Sequence, residues 1–166
     1  MINTEIQGLL NITEGQLIEH LNKDIREIFN TMVGADLSEA IITVTKTKFK
    51  DCVTAMVGFA GSYNGMISIN TPQKLAMGLA SQMLGMEISE CAEDVHDTIG
   101  EIANMIGGSC KHHFVVHGHE VRLSTPSVIS GEEYFISIGS IPDTLTVMFK
   151  YGDEQFWVSV YLEVGE

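Results

Sequence analysis

The sequence predicts an α+β domain, an antiparallel sheet with long helices packed on it. Three observations carry this expectation. Two long segments keep apolar residues at helical spacing. Segments rich in Val, Ile and Thr, broken by glycine-containing turns, follow each of them. The order along the 166 residues is helix, strands, two helices, strands.

The first helix is "TEGQLIEHLNKDIREIFNTMVG", with Thr13 as N-cap and Gly34 as stop. Leu17, Leu21, Ile25, Ile28 and Met32 line its apolar face. "AIITVTKTKFKDCVTAMVGFAGSYNGMISIN" predicts three strands, the last two joined by a turn at "SYNG", because Asn-Gly favours tight hairpins. "TPQKLAMGLASQMLG" is a second helix, with Thr71 as cap and Pro72 in the first helical position. Ser89 opens a third helix, from about Glu90 to Lys111. The last third is strand-rich. "KYGDEQFW" signals a hairpin, and "FWVSVYLEV" reads as a core or edge strand. "REIFNTMVG" in the first helix is echoed by "GEIANMIGG" in the third, which hints at a duplicated helix-plus-strands unit. No linker divides the chain, so residues 1–166 are expected to form one domain.

Composition narrows the function classes. The formal net charge is −13, which repels phosphate backbones and anionic membrane surfaces. No nucleic-acid or membrane partner is expected. The three cysteines, Cys52, Cys91 and Cys110, lack framework spacing and suit a reducing cytosol, where each serves as a small buried hydrophobe. The N-terminus has no signal-peptide pattern. A cytoplasmic location is the expectation.

The third helix carries the candidate site. At about 100° per residue, Val95, Ile99, Ile102 and Ile106 form a core stripe. Asp97, Glu101, Asn104 and Gly108 fall on the opposite stripe, without a Lys or Arg to pair with Glu101 one turn on. Gly100, Gly107 and Gly108 each cost a helix about 1 kcal/mol relative to Ala. Small residues beside Glu101 and Asn104 would leave room for another surface to approach. Spacing alone favours an ordinary solvated face, since any i, i+3 pair lines up by geometry.

The segment "DTIGEIANMIGGSCK" followed by "RLSTPSVISGEEY" resembles the signature region of the CheC/CheX/FliY family, phosphatases of the chemotaxis response regulator CheY. The single-site CheX branch is the better match. "GFAGSYNGMISINTPQKLAMGLASQMLG" is similar to the family's hairpin-then-helix segment, and "TPSVISG" to its Pro-containing loop. The resemblance runs from about Ala40 to Tyr134. It implies a CheC/CheX-like fold and hydrolysis of an aspartyl phosphate on a receiver domain that brings its own Mg²⁺. No cofactor is expected on this chain and no metal site.

The family's acidic-Glu-Asn motif falls on Asp97, Glu101 and Asn104. The resemblance makes Asn104 the water-positioning residue and Glu101 the anchor to the receiver's active-site lysine. Asp97 becomes a supporting contact, with Gly100 and Gly108 beside it as binding positions. An acyl phosphate is already activated, so placing one water in line with phosphorus is the main requirement. An amide can do so, since its oxygen accepts from water and its nitrogen donates. No Gly-rich phosphate loop, serine elbow or cysteine cluster is present. The resemblance also implies a homodimer made by joining sheet edges, for which the long strand "FWVSVYLEV" is an available edge.

Two features stand apart. Glu27 and Asn30 repeat the Glu-x-x-Asn spacing in the first helix, but Lys23 stands at the position matching Asp97 and Phe29 at that of Ala103. "KHHFVVHGHE" clusters His112, His113, His117 and His119. His117 and His119 would share one strand face as a metal pair, against the simpler account of surface or packed histidines. Rival functions are a non-catalytic receiver-binding adaptor and a metal-binding or structural domain.

Overall fold

A computed structural model of the protein describes residues 2–38, 40–115, 118, 120–138 and 141–165. Helices and strands follow the order α1 (Thr4–Leu10), α2 (Glu14–Val33), β1 (Ala40–Thr43), β2 (Lys48–Gly61), β3 (Tyr63–Pro72), α3 (Gln73–Leu84), α4 (Glu93–Phe114), β4 (Val121–Leu123), β5 (Ser127–Phe135), β6 (Thr144–Tyr151) and β7 (Glu154–Val164). A single 3₁₀ turn, Ile141–Asp143, precedes β6.

The caps of α2 are those its sequence specifies. Thr13 accepts from the Gln16 amide while the Gln16 side chain accepts from the Thr13 amide, a reciprocal capping box. Gly34 closes the helix at φ 70°, left-handed backbone that glycine adopts without a Cβ penalty. The seven-residue α1 is too short for periodicity to announce. Asn3 caps it, and Ile6 and Leu10 are buried.

Three expected boundaries move. The β2–β3 turn lies at Gly61 and Ser62, with Phe59 paired to Gly65. Gly61 has φ 145°. The Asn64–Gly65 pair sits inside β3 instead. A Cβ on Gly65 would collide with the Tyr161 carbonyl of β7, so this glycine serves close strand approach. Thr71 is buried at the strand end with an unpartnered hydroxyl, and Pro72 occupies the N-cap of α3. Helix α4 opens at Glu93, beyond the extended Ala92, and reaches Phe114. The "KYGDEQFW" hairpin forms as expected, with Tyr151 opposite Glu154 and Gly152 at φ 59°.

The sheet order is β1-β6-β7-β3-β2-β4, with β5 also paired to β2. All pairings are antiparallel. The order reflects the sequence echo. The unit α2-β1-β2-β3 corresponds to α4-β5-β6-β7. Each unit lends its first strand to the other's hairpin, β1 to β6 and β5 to β2, and β3 meets β7 at the centre. One consequence corrects an expectation. "FWVSVYLEV" lies in β7, which is hydrogen-bonded on both sides, so it is not an available edge.

One sheet face packs against the helices. Phe29 of α2 stacks on Phe156, which stacks on Phe149. Phe114 of α4 meets Phe59 and Tyr63 edge-on. The opposite face is polar yet largely buried. There Thr54 bonds to Asn70 and Tyr134, and Thr146 bonds to Ser159. No described helix is long and apolar enough to cross a membrane.

Candidate functional site

Helix α4 is anchored before it presents anything. Val95, Ile99, Ile102 and Ile106 are each at most 1% exposed. Burial of such side chains contributes about 1.5–3 kcal/mol each. Glu93 and Asp94 lie in the first turn and Lys111 in the last, each favourable to the helix dipole. His96 adds a tie to β5, with its Nε2 at 2.7 Å from Ser130 Oγ.

Turned away from this core, Asp97, Glu101 and Asn104 are all exposed. They stand on successive turns of one face of α4. No side-chain hydrogen bond or ion pair engages Glu101 or Asn104 among the described residues. An acid and an amide are thus held a turn apart on a rigid helix, both free to meet a partner.

The glycines divide. Gly108 is half-buried, and a Cβ there would meet nothing within 4 Å. Gly100 is buried instead. A Cβ on it would lie 3.3 Å from Val128 Cγ2 and 3.6 Å from Pro126 Cβ. The surface that Gly100 admits is this chain's own β5 segment, which corrects its assignment as a partner-binding position. Gly107 likewise faces Val57 and Ile67. Sequence spacing missed this role of the "TPSVISG" segment, which buttresses α4 beside Asn104. The small residue opposite a proline was its only sign.

The second Glu-x-x-Asn pair is differently placed. Glu27 and Asn30 are exposed on α2, but the Asn30 amide donates to Asp36 Oδ1 at 2.9 Å. That contact commits one amide N–H of Asn30 and ties its side chain to the loop after α2, whereas the Asn104 amide has no such tie among the described residues.

Of the two described histidines of the cluster, His112 is exposed and His113 packs between the helices. His113 Nε2 lies 2.7 Å from Asp24 Oδ2, and its ring stacks on His20 at 4.0 Å, pinning α2 to the end of α4. His117 and His119 lie outside the described residues. Among the described residues no group of three His, Cys, Asp or Glu could hold a metal ion. Cys52 and Cys110 are buried and Cys91 half-buried, all as free thiols. Burial pushes each thiol above its ordinary value.

Comparison with known proteins agrees with this architecture. The CheY-P phosphatase CheX of Thermotoga maritima is 27% identical over 120 residues, 71% of this chain and 77% of that one. The crystal structure of a chemotaxis protein CheX from Desulfovibrio desulfuricans superposes with a TM-score of 0.75 at 28% identity, covering 89% of this chain and 99% of that one. The CheX of a CheX–CheY–BeF₃–Mg²⁺ complex from Borrelia burgdorferi shares the fold, with a TM-score of 0.72 at 23% identity over 89% of this chain and 97% of that one. The profile of the family described as Chemotaxis phosphatase CheX matches residues 53–149, more than half of the chain and all of α4. On that match, and with helix, hairpin and sheet order in agreement, the chain belongs to the chemotaxis phosphatase CheX family.

Proposed function

We propose that this protein hydrolyses the aspartyl phosphate of a CheY-like receiver domain. The observation that carries the proposal is the exposed pair Glu101 and Asn104, without partners among the described residues and a turn apart on a helix that the core holds rigid. Family membership supports it, as does the name of the Thermotoga relative, a CheY-P phosphatase. The Borrelia relative was crystallised in complex with CheY.

Asn104 positions the attacking water. Its Oδ1 accepts from the water and its Nδ2 donates to a phosphoryl oxygen. The water oxygen bonds to phosphorus, the P–O bond to the receiver's aspartate breaks, and inorganic phosphate and a carboxylate leave. Glu101 pairs with the receiver's active-site lysine and fixes the register of α4. Asp97 gives a further contact one turn earlier, and the open surface at Gly108 lets the receiver approach. The receiver's Mg²⁺ supplies charge neutralisation at the phosphoryl group. No nucleophilic side chain is required of this chain. A homodimer through a sheet edge belongs to the same proposal, with β1 or β5 as its strand, because β7 is interior.

The test is phosphate release from candidate receivers charged with a small phosphodonor. Wild type is expected to accelerate release. Asn104→Ala should return it towards the receiver's own rate, a loss on the order of a hundredfold, and Glu101→Ala should also be impaired. Binding of the phosphorylated receiver without faster release would replace this proposal with the adaptor function.

A further inference from the structure

Beside the Glu101–Asn104 face, an open groove of about 280 Å³ lies between α2 and α4. Asp24, Glu27, Thr31 and Met32 line it from α2, and Met105 and Ser109 from α4. Met105 lies one helical turn after Glu101, and Ser109 one turn after Met105, so the groove borders the proposed site along α4. Met32 is 41% exposed.

We propose that this groove is a second docking surface for the same receiver, taking an apolar side chain flanked by a lysine or arginine. The inference rests on the receiver-phosphatase proposal above and extends it to what selects the receiver. Area, wall chemistry and charge support it.

The first is area. A specific protein interface buries about 800 Å² on each partner. The stripe from Asp97 to Gly108 is only about 16 Å long by helical rise and one side chain wide. A receiver seated on it must also cover what flanks α4. On the β5 side, Gly100 is already sealed by Pro126 and Val128. The α2 side is open.

The second is the chemistry of the walls. Met32 and Met105 are unbranched, polarisable side chains that repack around an incoming apolar group. The third is charge. Asp24 is held by His113, but Glu27 pairs with no cation among the described residues. On a chain of net charge −13, that rim selects a basic partner surface.

The proposal is tested by steady-state phosphate release with wild type, Met32→Glu, Met105→Ala and Glu27→Lys, each checked for unchanged melting temperature. Met32→Glu lies at an exposed position and keeps the test sound if Met105→Ala is destabilised. The groove variants are expected to raise KM for the phosphorylated receiver about tenfold, the cost of one interface anchor, with kcat retained at saturation. Glu27→Lys should also flatten the dependence of KM on salt. Wild-type KM in Met32→Glu and Glu27→Lys, alongside lost release in Asn104→Ala, overturns the groove and leaves the phosphatase proposal standing. A changed molecular mass with wild-type KM assigns the groove to a second copy of this chain and also overturns the inference. If wild type releases no phosphate from any receiver, both proposals fail together.

Discussion

A Cβ placed on Gly100 would stand 3.3 Å from Val128 Cγ2, closer than side chains ordinarily pack. That contact decides how near α4 lies to β5, and so where Asn104 stands relative to the "TPSVISG" segment. A larger residue must push the two apart. Gly100→Val is expected to lower stability by about 1–3 kcal/mol, as overpacking does, in spite of glycine's poor helix propensity. Chemical denaturation measures it. A variant as stable as wild type would show that α4 moves freely against β5.

Gly108 predicts the opposite sign. A Cβ there meets nothing, and alanine is the better helix former. Gly108→Ala should raise stability by about 0.5–1 kcal/mol. If the receiver seats against this position, the same variant should raise KM for phosphate release. Gain of stability without a change in KM would place the receiver elsewhere on α4.

The two Glu-x-x-Asn pairs should behave differently. Asn30 is already bonded to Asp36, whereas Asn104 has no partner among the described residues. Asn30→Ala is expected to leave phosphate release at the wild-type rate, while Asn104→Ala loses it. Equal losses in single-turnover assays would mean that both helices act.

Tyr134 gives a pH dependence. Burial pushes its phenol up to about 12, partly opposed by its hydrogen bond with Thr54. The unfolded chain ionises near the ordinary value of about 10. The stability held by the neutral phenol is therefore complete below pH ~10 and declines as pH rises towards 12. Tyr134→Phe should show a shallower alkaline decline than wild type in denaturant titrations across that window.

The proposed homodimer has a testable edge. Ile41 and Ile42 of β1 are 45% and 56% exposed, without a lysine or proline on the strand to discourage pairing. Light scattering should report a dimer, and Ile42→Lys a monomer. A dimer unaffected by that substitution would assign the β5 edge.

The α+β class, the caps of α2, the hairpin at Gly152 and the face that Glu101 and Asn104 share are legible in the chain before it folds. These follow from periodicity and local turn chemistry, which act over a few residues. The chain also carries the echo between α2 and α4 that the sheet order repeats. What each small residue is for depends on packing between distant segments. Gly65 admits the Tyr161 carbonyl, Gly100 admits Val128 and Gly108 admits nothing, although all three are the same letter in the chain. Only the fold placed "FWVSVYLEV" in the middle of the sheet, because strand neighbours are chosen by pairing between segments far apart in sequence. Asn30 and Asn104 differ for the same reason. What occupies an amide depends on the loop that returns beside it, and helical spacing carries no information about that loop.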